Sequence, residues 1–395
     1  MATDLSDAPD AAAGRGRLLE IASAFGRLGV TAFGGPAAHL AIFRDEFIAR
    51  RRWIDDARFA DLLGAANLLP GPTSTEVALG IGYVRAGRPG MLAAGAMFIL
   101  PSALLVLAFA VVYQAAGSLP ETSWVLYGIQ PAVVMVVARA ILALAPTVLK
   151  EAIAWVIAGA AAAAGLIGLH PLVPLGAGAI AMVAIRAARR PFGAEPGVQA
   201  LMPPVAFGGA LPAAAGAAGM TLASLFLTFL AIGVVSFGSG YLLLAFLREA
   251  FVVPGLITDR QLLDAVAISQ VTPGPLFTAA TFIGYLLAGL PGAVLATVGI
   301  FAPAFALVAV THGWLPRLRA SRVASAALDG VNAAAVGLLV AVTAQLAREA
   351  IRDVGTFAIA VVAGLSLVTG RVGVVSVLIG SALAGWLLNA TGLVP

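Results

Sequence analysis

Apolar runs of roughly 18 to 25 residues, parted by short charged or proline- and glycine-rich breaks, set the rhythm of this chain, and that length lets a helix cross bilayer hydrocarbon. They predict spans over residues 18–40, 91–113, 124–145, 153–169 and 172–185, and then over 222–246, 293–311, 324–347, 355–369 and 373–389. Two further apolar stretches, 60–84 and 262–287, are interrupted by Pro70-Gly71-Pro72 and Pro273-Gly274-Pro275. Proline removes an amide donor and clashes with the preceding helical turn, so neither stretch can be one continuous helix. The alternating ten-residue segments of a membrane β-barrel are not found in the sequence. The pattern predicts an all-α polytopic membrane protein.

The two broken stretches are copies of each other. Asn67-Leu68-Leu69-Pro70-Gly71-Pro72-Thr73-Ser74-Thr75 returns 203 residues later as Gln270-Val271-Thr272-Pro273-Gly274-Pro275-Leu276-Phe277-Thr278. Phe33-Gly34-Gly35 matches Phe237-Gly238-Ser239, Arg44 matches Arg248, Asp61 matches Asp264, and Gly82-Tyr83 matches Gly284-Tyr285. A repeat held at one spacing reads as two homologous halves. The division expected is a disordered tail over 1–17, a first repeat over 18–190, a linker over 191–219 rich in Pro, Gly and Ala, and a second repeat over 220–395.

Composition fixes the class. Hydrophobic residues make up 61% of the chain, charged ones only 11%, and the mean hydropathy is +1.01, whereas soluble domains carry about 25% charge. Residues 1–61 hold 17 of the 42 charges, and Arg44, Arg50, Arg51, Arg52 and Arg58 sit among Phe43, Phe47, Trp53 and Phe59, as suits an interfacial amphipathic segment. Arginine-rich loops stay cytoplasmic. The basic turn Arg85-Ala86-Gly87-Arg88-Pro89-Gly90 then makes 60–84 a re-entrant hairpin that enters and leaves on one side, and leaves five full spans in the first half. An odd span count inverts the second half, where the turn after the broken stretch is uncharged and Arg317, Arg319 and Arg322 form the basic loop. The net charge of +4 is thus an orientation signal and not a nucleic-acid footprint. Zero cysteines exclude disulfides and thiolate metal sites.

Breaks in a membrane helix are tolerated only against other protein or a water-filled cavity. A matching pair in inverted repeats points to a transporter's site near the midplane. Past each proline pair a helix begins, offering free N–H groups and about half a positive charge to an anion. The predicted anion site comprises Asn67, Pro70, Gly71, Pro72, Thr73, Ser74 and Thr75 with Gln270, Pro273, Gly274, Pro275 and Thr278, bordered by Gly34, Gly35, Gly238 and Ser239; Thr281 adds a hydroxyl. Glu76, Arg27, Arg44 and Arg248 are candidates for coupling or charge compensation, and Asp329 is a second membrane-depth acid. Each has a plainer reading. The glycines equally serve close helix packing, Glu76 could cap its own helix, and most of the arginines anchor topology. His39, His170 and His312 match no metal spacing and read as ordinary loop or span-end histidines. No metal, cofactor or catalytic residue is expected: there is no His-Glu-x-x-His motif and no Ser-His pairing on facing spans.

Phe25-Gly26-Arg27-Leu28-Gly29, Phe33-Gly34-Gly35-Pro36, Trp53-Ile54 and Pro70-Gly71-Pro72, duplicated across the chain, resemble the chromate ion transporter family in its long, fused form. The resemblance covers residues 20–150 and 224–350. It implies a bacterial inner-membrane secondary transporter that exports chromate, a tetrahedral dianion shaped like sulfate, and so confers chromate resistance. It also implies halves that exist elsewhere as separate proteins inserted in opposite orientations. The alternatives are a carrier of a different anion and an accessory, non-transporting subunit. Expected partners are a chromate- or sulfate-like oxyanion and membrane lipid, with no nucleic acid; a homodimer is left open.

Overall fold

The structure, a computed structural model, describes residues 8–67, 69–116, 120–189, 220–236, 240–311, 321–370 and 372–391. The expected linker, together with Phe237, Gly238, Ser239, His312, Arg317 and Arg319, lies outside the described residues. All regular structure among the described residues is helical. Five of these helices are long and apolar enough to cross a membrane.

The first half opens with α1 (Ala8–Thr31) and α2 (Gly35–Arg44), continued by a π-helical turn over Asp45–Arg50. Residues 8–17, expected in a disordered tail, belong to α1. The single span expected over 18–40 is broken: Gly34 and Gly35 take φ of 106° and 81°, which ends α1 and starts α2 in a new direction. Next come α3 (Asp56–Ala66), α4 (Thr73–Ala116), α5 (Pro120–Val148), α6 (Ala152–Leu166) and α7 (Leu172–Arg189). Asp55 caps α3 by accepting from the Arg58 N–H.

The second half repeats this order. It runs α8 (Leu222–Val235), α9 (Leu243–Leu247) with a π-helical turn over Arg248–Val252, α10 (Asp259–Val271), a 3-10 turn over Leu276–Thr278, and α11 (Ala279–Thr311). It closes with α12 (Arg322–Ala350), α13 (Val354–Val368) and α14 (Val374–Ala390). The span expected over 222–246 is likewise interrupted, α8 ending at Val235. Thr258 and Gln261 form a reciprocal capping box on α10, satisfying two N–H groups a helix start would leave free.

α4 and α11 each contain a sharp reversal, at Ala86 and Gly87 and at Ala288 and Gly289, with nearly identical dihedrals in the two copies. The arms fold back on themselves, so that Gly82 meets the Gly90 carbonyl and Gly284 meets the Gly292 carbonyl with no room for a side chain. Small residues of this kind let helices approach where lipid gives little hydrophobic drive to association. Leu62 of α3 packs on Gly80 of α4, equally far on either side of Gly71.

Within the halves α1 packs on α4 and α8 on α11; between them the packing is reciprocal, α12 lying on α6 and α7 of the first half and α5 on α13 and α14 of the second. Gly337 meets the Ala158 carbonyl, and Gly385 the Trp124 carbonyl. α4 and α11 meet at the centre through Leu79, Met91, Ala304 and Val308.

Candidate functional site

The two Pro-Gly-Pro segments stand where α3 gives way to α4 and where α10 gives way to α11. Helical backbone stops before each, so the central glycine N–H has no helical acceptor and must find one elsewhere. Each finds it in the other half. The Gly71 N–H donates to the Ser236 carbonyl at the end of α8 (2.7 Å), and the Gly274 N–H donates to the Ala32 carbonyl just past α1 (2.9 Å). Both glycines have positive φ, 147° and 100°. Gly71 lies against Ala304 of α11 and Gly274 against Ser102 of α4, again across the halves.

The helix starts beyond these glycines are buried and rich in hydroxyls. Thr73, Ser74, Thr75 and Glu76 open α4, and all four are buried, as are Gln270, Thr278 and Thr281 in the second copy. The Thr278 hydroxyl donates to the Pro275 carbonyl (2.8 Å) and lies 3.1 Å from the Ser102 hydroxyl. Thr281 pairs with Thr297 at 2.7 Å. The Thr75 hydroxyl and both oxygens of Glu76 are buried with no hydrogen-bond partner, and a side chain added at Gly71 would stand 2.7 Å from Glu76 Oε1. A polar atom left unpaired at that depth costs about 1–3 kcal/mol, more when charged. Such an arrangement is suited to a ligand that completes it.

Not every predicted residue is drawn in. Asn67 is exposed at the end of α3, while its repeat partner Gln270 is buried and donates to the Tyr241 hydroxyl (3.1 Å). Gly35 faces that same hydroxyl, whereas Gly34 is exposed. Gly238 and Ser239 lie outside the described residues. Of the charge candidates, all but Glu76 are engaged elsewhere: Arg27 with Glu46 (2.5 Å), Arg44 with Asp56 (2.7 Å), Arg248 with Asp259 (2.8 Å), and Asp329 with Arg186 (2.7 Å). Arg44–Asp56 and Arg248–Asp259 are the same bridge in both copies.

Three polar groups were not legible beforehand. Ser102 occupies the place that Ala304 holds in the second half, an asymmetry visible on aligning the repeats. His39, buried and set between Phe43 and Phe98, bonds to Ser74 and Ala32. Asp264 accepts from the Tyr113 hydroxyl (2.9 Å) and from Gln130 Nε2 (2.8 Å), both from the first half. It borders a cleft of about 370 Å³ with Arg260 and Gln261, toward the other end of α10 from the break.

Five helices long and apolar enough to cross a membrane, with paired helix breaks and two like halves in reciprocal contact, describe a multi-pass helical membrane protein. The chain belongs to the chromate transporter family, whose model matches it twice, at residues 19–183 and again at 223–386. It is 33% identical over 381 residues to a chromate transport protein of Pseudomonas aeruginosa, covering 92% of this chain and 91% of that one. A chromate transport protein of Cupriavidus metallidurans is 31% identical over 351 residues, with 87% and 86% covered. A probable chromate transport protein of Synechococcus elongatus is 29% identical, with 88% and 89% covered. No solved structure matches the chain.

Proposed function

We propose that this chain is a secondary transporter that exports chromate, or a tetrahedral oxyanion of the same shape such as sulfate, across a bacterial inner membrane and so confers chromate resistance. The observation that carries the reading is the crossed pair of glycine N–H bonds, which brings both Pro-Gly-Pro segments and the helix starts behind them to the interface of the halves. In this reading the segments are the tips of two re-entrant hairpins, and the repeats, 18–190 and 220–395, have opposite orientation about an axis in the membrane plane. The anion is held by the starts of α4 and α11 with Ser74, Thr75 and Thr278.

Charge sets the direction. Moving one elementary charge through 100 mV is worth about 2.3 kcal/mol, so a dianion leaving a negative cytoplasm gains about twice that. Two helix starts offer about one positive charge in total. With Arg27 and Arg44 tied to Glu46 and Asp56, the rest of the compensation has to come from a proton held at the site, and proton movement stays secondary to the electrical drive. In vesicles of known sidedness, an inside-negative potential accelerates chromate exit. Exit that ignored the potential and followed only a pH gradient would refute this mechanism.

A further inference from the structure

His39 of α2 is 1% exposed and makes two bonds within the first half, to the chain just past α1 and to the start of α4. Its Nε2 lies 3.1 Å from the Ala32 carbonyl, the same oxygen that accepts the Gly274 N–H. A carbonyl only accepts, so Nε2 carries a proton. Its Nδ1 lies 3.3 Å from the Ser74 hydroxyl in the first turn of α4. In the neutral ring Nδ1 is then an acceptor, and the one hydroxyl proton of Ser74 is turned toward the imidazole. Ser74 would then show only lone pairs to an anion at the helix start, which repel it. A second proton on the ring reverses this: Nδ1–H donates to Ser74, the hydroxyl proton is free to swing to the anion, and the ring adds a positive charge beside it.

We propose that His39 is a proton-linked positioning residue of the anion site, so that uptake of one proton and binding of one dianion favour each other. This rests on reading the helix starts as that site. The second half has Leu243 and Phe277 where the first has His39 and Ser74, so only one of the two half-sites carries the linkage. Phe43 and Phe98 close the ring off with apolar faces. Of the charged groups on the elements around it, Arg27 of α1 and Arg44 of α2 are ion-paired, Asp45 begins the π-helical turn beyond α2, and the second break contributes none between Thr272 and Phe277. Glu76, two residues beyond Ser74, is the rival proton acceptor, and the test separates the two.

The affinity of the purified full-length protein for chromate, counted as the dianion alone, is measured by equilibrium dialysis between about pH 5.5 and 9; wherever the pH lies between the free and the anion-bound pKa of the linked group, a single linked proton raises Kd by about tenfold per pH unit. The wild type and Glu76→Gln are expected to show that slope. His39→Leu and His39→Gln are expected to bind with a flat profile; the glutamine variant keeps a donor for Ala32 and so guards against a folding defect. A slope retained in the histidine variants, or lost only in Glu76→Gln, overturns the proposal, as does a flat wild-type profile. A wild type that binds no chromate at any pH would instead overturn the anion site itself.

Discussion

Replacing Gly274 by alanine tests whether the second tip is as tightly built as the structure requires. At φ of 100° a side chain is strained by about 1–2 kcal/mol. Its Cβ would also stand 2.6 Å from Ser102 Cβ, an overlap that a packed interior relieves only at about 1–3 kcal/mol more. Together, about 2–5 kcal/mol can be relieved only by moving the tip, and with it the N–H bond to Ala32. Since about 1.36 kcal/mol is a factor of ten in rate, transport should fall at least tenfold. Gly71→Ala is strained in φ as well, but its neighbour is the flexible end of Glu76, so the loss should be smaller. Ser102→Gly in the Gly274→Ala background removes the overlap and not the strain, and should restore activity in part. Gly159→Ala and Gly380→Ala, where a side chain meets nothing within 4 Å, are the controls. Chromate flux into inside-out vesicles, normalised to membrane-inserted protein, reads all of them. Wild-type flux in Gly274→Ala, or equal damage in Gly159→Ala, would refute the reasoning.

The chain has no cysteine, so single cysteines at Gly87 and Leu290 can report topology without background; opposite halves predict labelling from opposite faces, and labelling from one face would remove the inverted arrangement. Glu46 is buried beneath Arg27, Arg50 and Arg51; burial opposes its charge, but hydrogen bonds from Arg51 and Arg27 outweigh this and hold its carboxyl below the usual range. A lowered carboxyl stabilises the fold above its unfolded value of about 4.3 and ceases to do so as the pH falls through the folded value. Glu46→Gln should therefore cost about 1–3 kcal/mol at neutral pH, toward the lower end because Arg27 is 45% exposed. The Tm deficit should close in strong acid, and a deficit of equal size there would contradict the assignment.

The breaks were legible because two prolines around a glycine act locally: Pro101 and Pro131 are carried inside helices, but Pro70-Gly71-Pro72 and Pro273-Gly274-Pro275 each set a positive-φ glycine between two prolines, which a helix cannot accommodate. The reversals at Gly87 and Gly289 fell within turns that sequence alone marked. Gly34 and Gly35 were harder, since a glycine pair serves close packing as readily as a change of direction, and the choice depends on Tyr241 and Gln270 arriving beside Gly35. Residue spacing aligned Asn67 with Gln270, yet one is exposed and the other buried; a repeat preserves register, not environment. His39 and Asp264 had local contexts without signal. Their meaning lies in Ser74, Tyr113 and Gln130, up to 151 residues distant.

Each tip borrows its acceptor from the opposite half, and this bears on how the protein is made. When the ribosome has finished the first half, Gly71 has no carbonyl to bind, because Ser236 has not yet been synthesised. In hydrocarbon an amide left in that state costs several kcal/mol. With the tip lying in the membrane as proposed above, the newly inserted first half is a waiting intermediate whose tip settles only after α8 emerges and enters the bilayer. A pause or a long insertion between residues 190 and 220 would lengthen that wait and expose the nascent chain to membrane proteases. Such a change alters yield while leaving the kinetics of every finished molecule untouched.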